Sequence, residues 1–279
     1  MSRLTGANFM RLWKDHCFWS CVTFMVSFGA FMVFFEYYML CRSGYGTALD
    51  GISLGCSNFM GFIVAVFVSL FWGTEYSDGT IRNKLVIGHQ RHTVYLSGLL
   101  VNFAAVLLFH GIYVATVFLV GIPLLGFSGS IGVELLFRLA LLSVLMDLTF
   151  SAIYTFLAMI NQNKAKVTAV SILSAFVLLL LSGYIHSALS EPKTYDAYIE
   201  VTDKGYVISH EGTEENPYYL EGTKRKVYEF LRDFLPSGQG VQIAERSADH
   251  MGQRLLYSCL IIVCTTGVGM LLFEKKDIK

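Results

Sequence analysis

The chain has 279 residues, of which 54% are hydrophobic and 15% are charged. A soluble domain carries charge on about a quarter of its residues, so this composition excludes an ordinary water-soluble globular protein. The 21 basic and 21 acidic side chains cancel, and this balance gives no sign of nucleic-acid binding. The chain is therefore predicted to be an integral membrane protein with no nucleic-acid partner.

The N-terminal segment 1–17 is predicted to form an interfacial helix. It mixes apolar residues, including Trp13, with the basic residues Arg3, Arg11 and Lys14. Such a helix lies at the membrane surface with its basic side chains toward the headgroups. Tryptophan is typical of that interface, which favours this interpretation over a frayed basic tail. The apolar segment that follows is too long for a signal peptide and lacks a cleavage site, so we expect it to be retained.

Six apolar segments are long enough to cross a hydrocarbon core of about 30 Å, which requires ~20 helical residues. They cover residues 18–40, 56–73, 94–120, 135–160, 167–188 and 255–273. Lipid offers no partner for stray backbone groups, so each segment is expected to be a closed helix. The predicted fold is an all-α polytopic membrane protein with spans one to five in 18–188, and with the sixth span and a cytoplasmic tail in 253–279.

The distribution of lysine and arginine predicts the orientation, because short cytoplasmic connections are rich in both. The connections on the side of the termini contain, besides the basic residues of the N-terminal segment, Arg82, Lys84, Arg91, Lys164, Lys166, Lys275, Lys276 and Lys279. The two short connections on the other side contain Arg42 alone. We therefore predict a multi-pass protein of the cell membrane with both termini cytoplasmic and the segment 189–252 external.

The connection between spans two and three, GTEYSDGTIRNKLVIGHQR at Gly73–Arg91, is rich in charged residues and glycine. Ser77 and Asp78 are favourable N-cap residues, the segment 80–87 suits two turns of helix, and Gly88 is a suitable stop. Ile81 and Leu85, four residues apart, share one face of this helix. We predict that this apolar ridge seats in a groove of another protein. The alternative is a solvated loop that only enforces topology.

The segment 189–252 is predicted to be a small external α+β subdomain. Residues 197–209, AYIEVTDKGYVIS, alternate as two short strands around Asp203-Lys204-Gly205. The segment 222–238 has apolar residues at helical spacing and is closed by Pro236 and Gly238. Its apolar face needs cover, so we expect the subdomain to rest on the ends of the spans.

Three ionisable residues, Glu36, His110 and Asp147, fall within or near predicted spans. Such groups are costly in a bilayer and face protein or a water-filled path, which makes them candidates for a substrate or proton path. For Asp147 a packing role as acceptor for a neighbouring Ser, Thr or Tyr is favoured over that path. Cys41 and Cys56 lie near the external ends of adjacent spans, where a disulfide is possible, although free thiols are favoured. No cysteine spacing indicates a metal site.

Two motifs resemble those of a known family. Segment 75–91 resembles the signature E-x-x-x-G-T-I-R-N-K-L-x-x-G-x-x-R of type-2 ABC export permeases, and segment 216–244 is similar to the external segment of a bacterial branch. The first match falls on Glu75, Gly79, Thr80, Ile81, Arg82, Asn83, Lys84, Leu85, Gly88 and Arg91. The second falls on Asn216, Pro217, Tyr219, Gly222, Thr223, Lys224, Arg225, Leu235, Pro236, Gly238 and Gln239. With the order of six helices and the ending FEKKDIK, the resemblance covers nearly the whole chain.

The resemblance implies a transmembrane permease subunit of an ATP-driven ABC exporter. In that family the N-terminal interfacial helix and a coupling helix, here within 75–91, dock onto a separate nucleotide-binding subunit that holds ATP and Mg. Two permease chains, identical or sister, assemble with two ATPase chains in the lipid bilayer. Relatives of this branch are associated with antimicrobial-peptide resistance, lipids and small ions, and an amphipathic or peptide cargo is favoured here.

The absence of a nucleotide-binding motif agrees with that implication. The sequence contains no G-x-x-x-x-G-K-[ST] and no Gly-Lys pair, so it does not hold ATP phosphates by that route. We expect no cofactor and no enzymatic activity in this chain itself.

Two alternatives belong to other classes. A sensor or immunity protein would use the acidic excess of 189–252 to bind an external peptide. A rhomboid-like intramembrane protease would use the G-x-S-G at 126–129, with His186 as the base. Tight-turn glycines after Pro123 explain that stretch better than a protease does.

Overall fold

The computed structural model describes residues 2–44, 46–126, 131–194, 198–201, 207–210 and 215–276. Its helices are α1 Ser2–Lys14, α2 His16–Ser43, α3 Leu49–Gly55, α4 Met60–Ser77, α5 Thr80–Val86, α6 Arg91–Leu125, α7 Val133–Ile160, α8 Lys164–Ser190, α9 Gly222–Phe234, α10 Pro236–Ala244 and α11 Met251–Lys275. A 3₁₀ turn covers Cys56–Asn58, and two strands, β1 Tyr198–Val201 and β2 Val207–His210, complete the described elements.

Six of these helices, α2, α4, α6, α7, α8 and α11, are long and apolar enough to cross a membrane. The six predicted spans fall on these six helices, which confirms the prediction of a helical multi-pass protein. Helices α4 and α7 are the most enclosed of the six, whereas α2, α8 and α11 turn much of their apolar surface outward. Outward apolar surface is what a lipid environment favours.

Aromatic side chains fill the interior between α2, α4 and α6. The rings of Phe67 and Phe109 meet edge to face with centroids 5.1 Å apart, and Phe18 packs on Phe109 at 5.5 Å. All three are fully or almost fully buried. Edge-to-face packing is a favoured geometry for such rings, so this cluster fixes how α2 and α6 lie against α4.

A chain of polar side chains crosses the same interior. Trp72 Nε1 donates to Asn102 Oδ1 over 3.0 Å, and Asn102 Nδ2 donates to Thr155 Oγ1 over 2.7 Å. These bonds join α4, α6 and α7 where water is excluded. Gly98 on α6 makes room for the indole, since a Cβ there would lie 2.4 Å from Trp72 Cζ2. Buried polar groups must be paired, so the chain specifies the register of the three helices.

The short helices α3 and α10 insert at the end of the bundle away from the termini. Helix α10 packs against α7, α8 and the 3₁₀ turn at Cys56–Asn58. The approach is close, because a Cβ on Gly240 would lie 2.8 Å from the carbonyl oxygen of Ser57. The residues 236–240 are all buried. This helix therefore belongs to the interior of the bundle.

The contacts of 189–252 do not support a separate α+β subdomain. Strands β1 and β2 pair antiparallel from Tyr198↔His210 to Val201↔Val207, and the predicted turn at 203–205 lies outside the described residues. The inner face of α9 packs against α8 and α11. On that face Leu231 joins an apolar cluster with Ile185 and Leu189 of α8. The amphipathic pattern predicts helix α9 correctly, and its contacts with α8 and α11 are with the spans on which it was expected to rest.

All six cysteines lie within the described residues and none is in a disulfide. Cys41 is exposed at the end of α2, whereas Cys56 is buried in the 3₁₀ turn. This agrees with the interpretation that both are free thiols.

Candidate functional site

The segment 75–91 comprises the end of α4, the short helix α5 and the first residue of α6. Gly79 and Gly88 both adopt positive φ, +67° and +101°, which glycine tolerates without a steric penalty. They turn the chain on either side of α5. Gly88 ends this helix as predicted, but the predicted capping by Ser77 and Asp78 is wrong. Gly79 occupies the N-cap position, and Asp78 instead follows the last residue of α4.

The Glu75 carboxylate is the centre of the site, and its side chain is fully buried. Lys84 Nζ of α5 donates to its two oxygens over 2.7 and 2.8 Å. The Arg11 guanidinium of α1 forms an ion pair with the same carboxylate. One acidic side chain thus binds α1 and α5 to the end of α4. We call Glu75, Arg11 and Lys84 the Glu75 network.

Both cations of the Glu75 network have further partners. Arg11 Nη2 donates to the carbonyl oxygen of Phe71 over 2.7 Å, and its guanidinium lies 4.3 Å from the centre of the Phe71 ring. Lys84 Nζ also donates to Asn8 Oδ1 over 2.9 Å. Asn8 Nδ2 in turn donates to Ser97 Oγ of α6 over 3.1 Å. Additional hydrogen bonds of this kind help a buried ion pair to offset its desolvation.

Burial has a direct electrostatic consequence for Lys84. It lowers the pKa of the Lys84 ammonium, and the charge and hydrogen bonds of Glu75 act in the opposite direction. Without Glu75, two cations would remain in a partly desolvated site with no opposing charge. The three side chains therefore depend on one another, and α1, α4 and α5 are held as one unit.

The apolar ridge of α5 points into the protein, so its prediction as a docking surface is wrong. Ile81 is fully buried in the core of this chain, and Leu85 packs against the same core. The outward surface of α5 consists instead of Arg82, Asn83, Val86 and Ile87, which we call the α5 outer face. Val86 and Ile87 are each 78% exposed. Helical spacing groups residues on one face but does not say what covers it.

Other motif residues also act inside the chain. Thr80 Oγ1 donates to the carbonyl oxygen of Glu75 over 2.9 Å. Arg91 Nη1 donates to the carbonyl oxygens of Phe273, over 3.0 Å, and of Lys276. Arg91 thereby joins the start of α6 to the end of α11. Its basic side chain stabilises the packing of these two helices at the end of the bundle that carries both termini.

Helix α1 divides its side chains between protein and surroundings. Leu4, Asn8 and Leu12 are buried, while Met10 and Trp13 are 66% and 59% exposed. Arg11, expected to point toward headgroups, is instead drawn onto Glu75. The sequence did not predict that Asn8 and Arg11 contact Lys84 and Glu75. Their spacing with Leu4 and Leu12 nevertheless places all four residues on one side of the helix.

The structure joins two of the three intramembrane candidates. His110 Nδ1 lies 2.6 Å from Asp147 Oδ2, and Asp147 is fully buried. The packing partner of Asp147 is therefore a histidine of the neighbouring helix, not the expected Ser, Thr or Tyr. Glu36 lies apart from the pair and accepts hydrogen bonds from Thr47 N and Oγ1, over 3.0 and 3.1 Å.

The residues of the second motif build the end of the bundle opposite the termini. Gly222 and Pro236 are the first residues of α9 and α10. Gly238 permits a close approach, since a Cβ there would lie 2.3 Å from the carbonyl oxygen of Arg232. Gln239, fully buried, donates to the carbonyl oxygen of Asp233 and accepts from Ser258 Oγ over 3.0 Å. These are structural roles at the junction of α9, α10 and α11.

Arg254 is a buried residue of this junction that the sequence did not single out. It lies near the start of α11 and is fully buried. Its Nη1 donates to the carbonyl oxygen of Ser247 over 2.9 Å, and Nη2 donates to that of Gln239 over 3.3 Å. A basic side chain at the edge of the sixth predicted span is the signal that marks it.

The described residues provide no contact between His186 and the serine of the G-x-S-G motif that would support the protease alternative. Phe127, Ser128 and Gly129 lie outside the described residues. His186 Nε2 lies 2.8 Å from Glu245 Oε1.

Comparison with known proteins adds no assignment, because no protein-family model and no curated protein matches the chain.

Proposed function

We propose that the chain is the transmembrane permease subunit of a type-2 ABC exporter, which couples ATP hydrolysis in a separate subunit to export of a substrate. The observation that carries the proposal is the Glu75 network. A buried carboxylate and two partly buried cations join α1, α4 and α5 into one unit, while the α5 outer face stays exposed at the end of the bundle that carries the termini. A partner that binds this face can therefore move α4 without separating it from α5.

The proposed partner is a nucleotide-binding subunit that holds ATP and Mg. Its affinity for the α5 outer face must differ between its ATP-bound and ATP-free states, because a ligand shifts a conformational equilibrium only through differential affinity. The partly buried hydrogen bonds from Lys84 to Glu75 and Asn8 transmit a displacement of α5 to α4 and α1. A second permease chain, identical or sister, completes the assembly.

The proposed setting is the cell membrane, with both termini cytoplasmic and the segment 189–252 external. A peptide or amphipathic compound is the proposed cargo. The Glu75 network and Arg91 lie at the end of the bundle proposed to be cytoplasmic, and α9 and α10 lie at the opposite end.

ATP hydrolysis provides the direct test of the proposed function. The chain is purified with the ABC ATPase encoded beside it and reconstituted in vesicles. We expect the ATPase to bind, its hydrolysis rate to depend on this chain, and transport to require both. Cargo movement or peptide cleavage by the isolated chain would contradict the proposal. A sensor or a protease would leave the ATPase rate unchanged.

Cys41 offers a test of the proposed orientation. In intact cells a membrane-impermeant maleimide is expected to label the chain at Cys41, because this thiol is exposed at the end of α2 whereas Cys56 is buried. Thiols react as thiolates, so Cys259 and Cys264, on an outward face of α11, should react poorly from lipid. Labelling is measured by a mass shift, with Cys41→Ser as the control. Labelling of Cys41 only after permeabilisation would reverse the orientation.

A further inference from the structure

A pocket of about 370 Å³ opens at the end of α8 opposite the Glu75 network. Its wall is formed by the last turns of α8 and by the segment 217–224, which contains much of the second motif. The lining residues that matter here are Tyr184, Glu191, Tyr218, Tyr219, Glu221 and Lys224. We call it the tyrosine pocket.

Local hydrogen bonds hold the tyrosine pocket in shape without a ligand. Asn216 Oδ1 accepts from Tyr218 N over 2.8 Å, which fixes the turn that presents the tyrosines. Asn216 Nδ2 donates to Glu191 Oε2 over 2.9 Å and so orients that carboxylate. Leu220 is anchored in the apolar cluster with Ile185 and Leu189. The turn and the Glu191 acceptor are thus fixed beforehand, which reduces the entropy lost on binding, while the ring of Tyr218 stays 73% exposed.

The lining carries two carboxylates, Glu191 and Glu221, against one ammonium, Lys224, and this balance favours a cation. Tyrosine faces attract cations through the ring quadrupole, and a carboxylate accepts about four hydrogen bonds, so Glu191 keeps capacity beyond Asn216. Glu221 has Lys193 at 3.7 Å, with both side chains about two-thirds exposed. An exposed pair of that kind contributes little, and a ligand can displace it.

The protein already uses this combination beside the pocket. The Arg225 guanidinium lies 5.1 Å from the centre of the Tyr219 ring, and Arg225 Nε donates to Glu229 Oε1 over 3.1 Å. A guanidinium is thus accommodated between a tyrosine and a carboxylate next to the pocket. The pocket contains the same two kinds of group, the tyrosine rings of Tyr184 and Tyr218 and the carboxylate of Glu191.

We propose that the tyrosine pocket binds an organic cation, a guanidinium or ammonium group carried on an apolar body. The carboxylate of Glu191 receives the N–H donors, and the tyrosine rings cover the cation and its apolar attachment. This proposal does not rest on the exporter assignment, because the pocket is built entirely from this chain.

The test uses two probes that differ only in charge. Acetyl-Phe-Arg-amide and acetyl-Phe-citrulline-amide are titrated by calorimetry against the full chain in lipid nanodiscs. Citrulline is a neutral isostere of arginine, so we expect the arginine probe to bind at least about tenfold more tightly. Glu191→Gln should remove most of that difference, and Tyr218→Leu should weaken binding of the arginine probe.

Glu134→Gln serves as the matched control, because Glu134 is an exposed carboxylate at the same end of the bundle and pairs with Arg138 outside the pocket. Each variant is first shown to unfold at the wild-type temperature. Equal affinity for the two probes, no binding of the arginine probe, or equal losses in Glu191→Gln and Glu134→Gln would each overturn the proposal. Binding that persists when the ATPase fails to associate would leave this inference standing and the proposed function refuted.

Discussion

Glu75→Gln is expected to lower the free energy of unfolding by about 3–5 kcal/mol, the usual cost of breaking a buried ion pair on one side. The amide keeps the shape of the carboxylate but removes the charge that faces Arg11 and Lys84. Both cations then stay partly buried without compensation, and α1 and α5 lose their common partner on α4. Thermal and denaturant unfolding of the purified chain, in one detergent or lipid throughout, measures the loss.

Two further variants make the Glu75 result specific. Asp78→Asn removes an exposed carboxylate three residues away and should change the free energy by no more than about 0.5 kcal/mol. Lys84→Met combined with Glu75→Gln should cost less than the sum of the two single changes, because the double variant leaves fewer unmatched charges. Equal stability of Glu75→Gln and Asp78→Asn, or strict additivity in the cycle, would contradict the role of the network.

Replacement of Val86 and Ile87 by glutamate is expected to abolish capture of the ATPase while the chain stays folded. Both side chains are largely exposed on the α5 outer face, so two charges cost the chain little there. In the proposed groove of the partner the same charges would be desolvated. Loss of a central contact in an interface typically costs 2 kcal/mol or more, or a factor of about 30 in affinity. Co-purification and the ATPase rate in vesicles report the effect.

Lys166→Glu is the control for charge and position, because it makes the same change of two charge units at an exposed residue in the first turn of α8. This variant should retain the ATPase. Ile81→Ala differs from the change at Val86 and Ile87, because it truncates a fully buried side chain. It should lower the free energy of unfolding by about 2–5 kcal/mol through the cavity that it leaves. ATPase binding that survives the glutamates at Val86 and Ile87 would show that the partner docks elsewhere.

Several features of the protein follow from the amino-acid sequence by itself. The six spanning helices are marked by apolar length, which is a property of each segment alone. The short helix α5 is marked by the spacing of its residues and by Gly88, since a turn at a glycine is a local event, although its predicted caps, Ser77 and Asp78, are wrong. Glu75 and Lys84 stand out as charged residues of one short motif. The amphipathic helix α9 is likewise visible in the spacing of its apolar residues.

Only the tertiary structure decided how these local features combine. It turned Ile81 and Leu85 inward and left Val86 and Ile87 exposed, brought Arg11 onto Glu75, and joined His110 to Asp147. It also inserted α10 between spans, where the sequence predicted a separate subdomain. The physical reason is that helical periodicity fixes which residues share a face, whereas the cover of that face comes from segments distant in the chain. The helical periodicity is therefore visible in one sequence, whereas the segments that cover each face are known only from the fold.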